Sequence, residues 1–310
     1  MSTTYAPPSR RTASPPRSRP PAIRDRITAW LFTLPALLVF TAMVTIPIAW
    51  SLSLSAFQWG GLGRPKFIGF DNYMRLFNDA VFHQAFLNNL FFTFVGTFVQ
   101  ITVGMVLAML LLSIDAFRNI IKTAFFIPCV VSSVAISQIF VQLLAVQPEG
   151  VINALLGTVG LDGWKRAFLS DPQWALLIVT LVDAYKYAAI YMVIYYSAFM
   201  SVDQEVLDAA SIDGANWWQQ YVYIKFPLVR AVVIVTIVML ISGTLKGFDV
   251  SYIMTGGGPG ASSELVSTYL YKTIFTSSDF GYGSAIAVFL AVECLVIIGV
   301  LQRVFRRWED

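Results

Sequence analysis

The stretch AFLNNLFFTFVGTFVQITVGMVLAMLLL, residues 85–112, contains no charged side chain. It is longer than the roughly 20 apolar residues that a helix needs to cross a bilayer. Five further apolar stretches of similar length are Ile27–Leu54, Ile120–Val146, Trp174–Met200, Leu228–Met254 and Gly283–Arg303. The sequence therefore predicts six transmembrane helices.

Composition supports an all-α, polytopic integral membrane protein. Hydrophobic residues make up 57% of the chain and charged residues only 13%, a balance too apolar for a soluble globular domain. Cys129 and Cys294 both fall within apolar stretches, and His83 is the single histidine. These residues indicate neither a disulfide framework nor a metal site. With no convincing nucleophile or metal cluster, we expect that the chain is not an enzyme.

Charge outside the spans predicts the orientation. Residues 1–26 contain six arginines among prolines and serines, so we expect a disordered basic tail followed by a membrane region over residues 27–310. A secretory signal is the alternative, but the first apolar stretch is long enough for an uncleaved anchor. Counted with the tail itself and the C-terminus, thirteen Lys and Arg residues lie on the side of the tail and six on the other side. The positive-inside rule then places both termini in the cytoplasm.

The segment DAASIDGANWWQQYVYIKFP, residues 208–227, interrupts the apolar pattern between the fourth and fifth spans. Ser201 and Gln204 have the spacing of a capping box, and Gly214 stands where a helix needs a left-handed terminator. A second short helix is predicted to end before Pro227. The loop over about residues 201–227 is therefore expected to be a helix, a turn and a helix. One interpretation is an interfacial connector with Trp217 at headgroup depth.

This segment resembles the EAA loop of permease subunits of bacterial ABC importers. The matching positions, with Asp208 in place of Glu and Phe226 in place of Leu, are Asp208, Ala209, Ala210, Gly214, Ile224 and Pro227. The resemblance implies a coupling helix that docks on a cytoplasmic ATPase, and a location in the inner membrane of a bacterial cell. ATP and Mg would bind to that ATPase, and no cofactor to this chain.

Three other segments resemble carbohydrate permeases of the maltose-transporter type. They are FIGFDNYMRLFND at residues 67–79, FDVSYIMTGGGPGASSE at 248–264 and the apolar C-terminal segment from Asp279. The resemblance implies the type I importer permease fold. It also implies a sugar substrate and, as partners, a second permease, two ATPase subunits and an extracytoplasmic binding protein, with no nucleic acid. A secondary carrier, or an ABC permease for another solute such as glycerol phosphate, is the alternative.

Charged residues within the apolar stretches are the candidates for a transport pathway, because charge is costly in hydrocarbon. Asp183 and Lys186 are spaced i, i+3, and so are Lys246 and Asp249, so each pair is expected to share a helix face. Phe248 and Tyr252 lie beside the second pair and suit the faces of sugar rings. Each pair either neutralises itself or contacts substrate, and Glu293 in the last span has no assigned role.

Overall fold

The computed structural model describes residues 23–114 and 116–309. Most of the predicted basic tail, residues 1–22, lies outside the described residues, and the first helix begins at Ile23 rather than Ile27. The chain divides into two compact units, one through Trp50 and one from Ser51 onward. The first unit contains α1 (Ile23–Phe40) and continues through a π-helical segment, Thr41–Thr45, into α2 (Ile46–Leu54).

The second unit is helical apart from one small antiparallel hairpin of β1 (Phe57–Gln58) and β2 (Lys66–Phe67). Its helices are α3 (Asp71–Asn78), α4 (Ala80–Leu112), α5 (Arg118–Val130), α6 (Ser133–Leu143), α7 (Val151–Thr158), α8 (Ala175–Met200), α9 (Gln204–Ile212), α10 (Trp217–Gln219), α11 (Phe226–Leu228), α12 (Arg230–Thr244), α13 (Asp249–Thr255), α14 (Val266–Tyr271) and α15 (Phe280–Glu309). Shorter turns are the 3-10 segment Asp162–Trp164 and the π-helical segments Gln220–Lys225 and Lys272–Thr276.

Four helices are long and apolar enough to cross a membrane without interruption: Trp30–Leu54, Ala80–Leu112, Ala175–Met200 and Phe280–Arg306. Two further spans are bent helix pairs, α5 with α6 at 94° and the 217–228 segment with α12 at 69°. Six spans result when each bent pair counts as one. The all-helical membrane fold is confirmed, and the third and fifth predicted spans are each divided between two helices.

The third span bends because its backbone leaves the helix after a proline. Pro128 lies in the last turn of α5, and Val131 is extended at φ −65° and ψ 141°. Ser132 then starts α6, with its hydroxyl accepting from the Val134 amide at 3.3 Å. Proline weakens a helix by removing a hydrogen-bond donor, and a serine cap begins a new one.

The fifth span breaks between α12 and α13. α12 ends at Thr244, and Phe248 adopts φ −139° and ψ −58° before α13 begins at Asp249. Lys246 and Asp249 consequently do not share a helix face, so the i, i+3 prediction for this pair is wrong. Gly247 in the middle of the break lowers the cost of the non-helical backbone.

The core of the second unit is the long contact between α4 and α8. Gly104 permits it, since a Cβ there would lie 2.9 Å from the Cβ of Tyr191 and 3.1 Å from the Met192 amide nitrogen. Tyr195, fully buried on α8, hydrogen-bonds the Thr236 hydroxyl of α12 at 2.7 Å. This small-residue contact follows the rule for membrane helices, where close approach replaces the hydrophobic effect.

Five residues from distant parts of the chain form a network that we call the Asp79 clamp: Asp79, Tyr269, Tyr282, Arg75 and Asp279. One carboxylate oxygen of Asp79 caps α4 by accepting from the Val81 and Phe82 amides at 2.9 and 3.2 Å. The other accepts from the hydroxyls of Tyr269 at 2.5 Å and Tyr282 at 2.6 Å. Arg75 donates to Asp279 at 2.7 Å and lies 4.0 Å from the Tyr282 ring centroid. The clamp joins α3, α4, α14 and α15.

Partial burial raises the pKa of Asp79, but the hydrogen bonds from Tyr269, Tyr282 and the α4 amides outweigh it, so the pKa falls below the usual 3.8. A depressed carboxyl pKa contributes stability above the unfolded-state value, and this stability is lost as pH falls through the folded value. We expect Asp79→Asn to lower the thermal stability of the purified protein at neutral pH. It should also flatten the loss of stability that the unsubstituted protein shows below pH 3.8.

Thermal unfolding measured across that pH range checks this expectation. Asp71→Asn is the matched control, because Asp71 is an exposed carboxylate in the first turn of α3. Equal acid sensitivity in the Asp79→Asn and Asp71→Asn proteins would contradict the assignment of this stability to the clamp.

Candidate functional site

A polar cavity lies where α4, α8 and α12 meet the break between α12 and α13. Its volume is about 340 Å³. The residues that line it are Phe92, Gln100, Asp183, Tyr187, Tyr191, Leu240, Gly243, Thr244, Lys246, Gly247, Phe248 and Asp249. The non-helical backbone of the break therefore faces a cavity, as expected for irregular structure at membrane depth.

Four of the six predicted pathway residues line this cavity: Asp183, Lys246, Phe248 and Asp249. Lys186 is buried one residue away from it, and its ammonium donates to the Tyr187 hydroxyl at 3.2 Å. Tyr252 lies outside the lining but stacks on Phe248, with ring centroids 5.0 Å apart and planes inclined by 15°. The break and α8 thus bring together residues that are far apart in sequence.

The charged groups of the cavity are not neutralised by the predicted pairs. Within the described residues, no ion pair joins Asp183 to Lys186 or Lys246 to Asp249. Asp183 instead accepts from the amide of Gln100 at 3.3 Å, whereas Lys246 and Asp249 are exposed. Self-pairing was one of the two roles left open by the sequence, and the geometry does not support it.

Several lining residues were not predicted. Tyr187 and Tyr191 follow Asp183 at intervals of four residues on α8, so the three side chains share one helix face. That spacing was a usable signal. No such signal exists in the sequence for Gln100, Thr244 and Gly243, because their position in the cavity lining depends on how α4 and α12 pack against α8.

Polar and aromatic groups alternate around the cavity, and this arrangement suits a hydroxyl-rich ring compound. Carboxylates, an ammonium and an amide can pair with hydroxyl groups, while aromatic faces cover the apolar side of a ring. A concave site with a few convergent polar groups is also the usual form of a small-molecule site.

The loop predicted over residues 201–227 is a helix, a turn and a further helical segment. Asp203, not Ser201, caps α9, since its carboxylate accepts from the Glu205 amide at 3.0 Å. The Ser201 hydroxyl instead donates to the Ala198 carbonyl, so the predicted capping box is wrong. A reciprocal capping box occurs at Asn216 and Gln219, at the start of the second helical segment.

Gly214 lies in the turn with φ +86°, the left-handed conformation that its position predicted. Pro227 was predicted to follow the end of the second helix, but it lies inside α11. The helical path continues through the π segment to Leu228 and bends at Val229.

The loop has two buried residues, Leu207 and Tyr221, and is exposed at most others. Tyr221 is buried, with its ring centroid 5.7 Å from that of Phe199 on α8 and 4.5 Å from that of Trp217. Of the residues matched to the EAA pattern, Asp208, Ala209, Gly214 and Pro227 are exposed, and Ala210 and Ile224 are half-buried. The Asp208 carboxylate accepts from Gln204 at 2.9 Å within α9.

The glycine-rich segment 256–260 and the residues after it are held in place by hydrogen bonds. Ser263, fully buried, donates to the Gly258 carbonyl at 2.6 Å and bonds the Thr255 hydroxyl at 2.7 Å. Asn88 of α4 donates to the carbonyls of Ala261 and Glu264, each at 3.0 Å. The Glu264 carboxylate also pairs with Lys272. These contacts fix the segment against α4.

Bent membrane-spanning helix pairs and a helix break beside a cavity with charged residues are typical of membrane transport proteins. Residues 100–310 match the family model described as the binding-protein-dependent transport system inner membrane component. The chain belongs to this family and is therefore a membrane permease subunit of an ABC importer.

Individual relatives agree with this assignment. The chain is 36% identical to the probable ABC transporter permease protein YurN of Bacillus subtilis, over 93% of this chain and 99% of that protein. It is 31% identical to the lactose transport system permease protein LacF of Rhizobium radiobacter, over 89% and 93% of the two chains.

The fold matches a solved permease structure. That structure is a bacterial alginate ABC transporter in complex with an alginate pentasaccharide-bound periplasmic protein. The TM-score is 0.82 at 24% sequence identity, over 92% of this chain and 96% of that one. The predicted type I importer permease fold is confirmed.

The break should be sensitive to side chains at Gly247 and tolerant at Gly243. A Cβ at Gly247 would lie 2.6 Å from the Phe92 ring and 3.0 Å from the Thr244 carbonyl, whereas a Cβ at Gly243 meets no atom within 4 Å. We expect Gly247→Ala to destabilise the purified protein by about 1–3 kcal/mol through overpacking. Gly243→Ala should leave the unfolding temperature almost unchanged, and equal unfolding temperatures for both variants would contradict this account.

Proposed function

We propose that this permease imports a neutral sugar or oligosaccharide through the cavity at the α12–α13 break. The observation that carries the proposal is the lining itself, where Asp183, Lys246 and Asp249 stand beside the rings of Phe248 and Tyr187. Two carboxylates against one ammonium disfavour an anionic solute such as glycerol phosphate. Hydroxyl groups, by contrast, accept from the ammonium and donate to the carboxylates. The relative LacF, a lactose transport permease, supports the same substrate class.

The proposed topology places both termini in the cytoplasm and the loop of α9 to α11 on the same side. Lys225 and Arg230 at the beginning of the fifth span and Lys122 at the beginning of the third agree with a cytoplasmic excess of positive charge. The Asp79 clamp and the hairpin then lie on the extracytoplasmic side, where a solute-binding protein would deliver the sugar. The chain would act with a second permease and two ATPase subunits that bind ATP and Mg.

The exposed side of α9 is proposed to couple this chain to an ATPase. Ala209 presents little side chain, and Ile212 at the end of α9 is 87% exposed, so a groove on a partner can approach the helix closely. Tyr221, packed against Phe199 of α8, connects the loop to the membrane helices. Closure of the ATPases would thereby move α8, one wall of the cavity. Nucleotide drives transport only if it stabilises one of the two access states more than the other.

Sugar uptake tests the substrate assignment. Membrane vesicles that contain the assembled transporter and its binding protein are offered labelled lactose, maltotriose or glycerol 3-phosphate with ATP. We expect uptake of a sugar and not of the phosphate ester. Uptake of glycerol 3-phosphate alone would overturn the assignment, and uptake without ATPase subunits would indicate a secondary carrier.

Lys246→Ala should raise the KM for sugar uptake by about tenfold, the effect of losing one hydrogen bond from a charged group. The amount of folded protein should change little, because Lys246 is exposed and forms no ion pair with Asp249. Initial uptake rates and size-exclusion profiles measure the two quantities. Loss of folded protein with an unchanged KM would indicate a structural role for Lys246.

Gly214→Val should abolish coupling without preventing membrane insertion. At φ +86° a β-branched side chain is strained, although a Cβ there meets no atom within 4 Å. The control is Gly160→Val, since Gly160 has φ +75° and equally open surroundings but lies outside the loop. We expect that only Gly214→Val loses ATPase association and binding-protein-stimulated ATP hydrolysis. Normal association and stimulation in both variants would instead leave the loop as an interfacial connector.

A further inference from the structure

One face of α4 carries four polar side chains that are buried inside the protein. Asn89, Thr93, Thr97 and Gln100 follow one another at intervals of four, four and three residues, so they lie on successive turns of one helix face. Their exposed fractions are 0%, 0%, 6% and 1%. We call these residues the α4 polar row.

Three atoms of the row have no hydrogen-bonding partner among the described residues: Asn89 Oδ1, Thr93 Oγ1 and Thr97 Oγ1. A buried threonine in a helix commonly donates to the carbonyl four residues earlier. Thr180 on α8 and Thr244 on α12 both do so, at 2.7 and 3.0 Å. Since buried polar groups are almost always paired, the unpaired hydroxyls of α4 require an explanation.

Both ends of the row reach polar elements of the transport region. At one end, Gln100 lines the cavity and donates to Asp183. At the other, the Asn89 amide donates to the Leu245 carbonyl in the α12–α13 break at 3.3 Å and to Glu293 of α15 at 3.4 Å. Glu293 is 7% exposed, and its second carboxylate oxygen is also unpaired.

The break packs directly on α4 beside this row. Phe92, one residue before Thr93, is 2% exposed, and its ring lies 2.6 Å from the position of a Cβ on Gly247. Two carbonyls of the non-helical break accept hydrogen bonds from neighbouring helices. The Leu245 carbonyl accepts from Asn89 of α4, and the Gly247 carbonyl accepts from Ser267 of α14. Movement of this segment away from α4 would separate it from Asn89, at one end of the polar row, and from Phe92, beside Thr93.

We propose that the α4 polar row is a section of the solute pathway, closed in this conformation by the α12–α13 break and opened during the transport cycle. The hydroxyls of Thr93 and Thr97 and the amides of Asn89 and Gln100 both donate and accept hydrogen bonds. Opened to the cavity, they would pair with the hydroxyl groups of a sugar. The sugar contact rests on the proposed function, whereas the opening of the row does not.

Thiol labelling tests the opening. In a transporter that carries Cys129→Ala and Cys294→Ala, Thr93→Cys and Thr97→Cys are treated separately with a small charged methanethiosulfonate reagent in proteoliposomes. We expect slow labelling without ATP and severalfold faster labelling during turnover. Ala108→Cys is the control on α4, since Ala108 is fully buried in the contact with α8, and it should stay unlabelled.

Absence of labelling at both threonine positions under turnover would overturn the proposal, as would equal labelling with and without ATP. Because the labelling requires no identified sugar, its outcome is independent of the uptake experiment. If the transporter takes up no sugar but its cysteine variants are labelled faster with ATP, the pathway proposal stands and the carbohydrate assignment is wrong.

Conservative substitutions test the sugar contact. Thr97→Val keeps the shape of the side chain but removes the hydroxyl, so we expect the KM for uptake of the transported sugar to rise about fivefold. Thr97→Ser should restore the original KM. Thr180→Val is the control, because the Thr180 hydroxyl is satisfied by the Leu176 carbonyl of its own helix. If Thr97→Val leaves the KM unchanged while Thr97→Cys is labelled as expected, the row is open to water but does not bind the sugar. That result would overturn the sugar contact.

Discussion

Backbone polar groups inside a membrane must find partners within the protein, and this constraint shapes the region around residues 245–248. When α12 ends at Thr244, the carbonyls of Leu245 and Gly247 lose their helical partners, and they are instead bonded by Asn89 of α4 and Ser267 of α14. The side chains of Lys246, Phe248 and Asp249 are then directed to one cavity with α8. The cavity therefore lies beside two carbonyls that the end of α12 leaves without helical partners and that side chains of α4 and α14 bond instead.

The segments that resembled carbohydrate permeases have a physical explanation in the Asp79 clamp. Arg75 and Asp79 belong to the segment 67–79, while Asp279 and Tyr282 belong to the segment that opens the last span. Their pairing across the bundle joins helices that are distant in sequence. It positions α14, whose Ser267 bonds the break, relative to α4, whose Asn89 does the same. The clamp and the cavity are therefore mechanically connected.

Apolar segment length was sufficient to predict the helical membrane fold, and spacing was sufficient to predict the turn at Gly214. The 94° bend between α5 and α6 was not predictable from hydropathy, because a broken span has the same composition as a straight one. Intramembrane charge identified Asp183 and Lys246 as cavity residues, but the expected pairing of Lys246 with Asp249 depended on a continuous helix, and α12 ends at Thr244. The α4 polar row, including Gln100, was missed because the role of a polar side chain in an apolar helix depends on which residues pack against it.

The length of α4 has a mechanical consequence. Its 33 residues rise about 50 Å, against a hydrocarbon thickness of roughly 30 Å. The helix is held at its first turn by the Asp79 carboxylate and in its second half by the close approach of Gly104 to α8. A continuous helix that is held at two separated points acts as a strut between them. A displacement of α8 at Gly104 would therefore be transmitted along α4 to the Asp79 clamp.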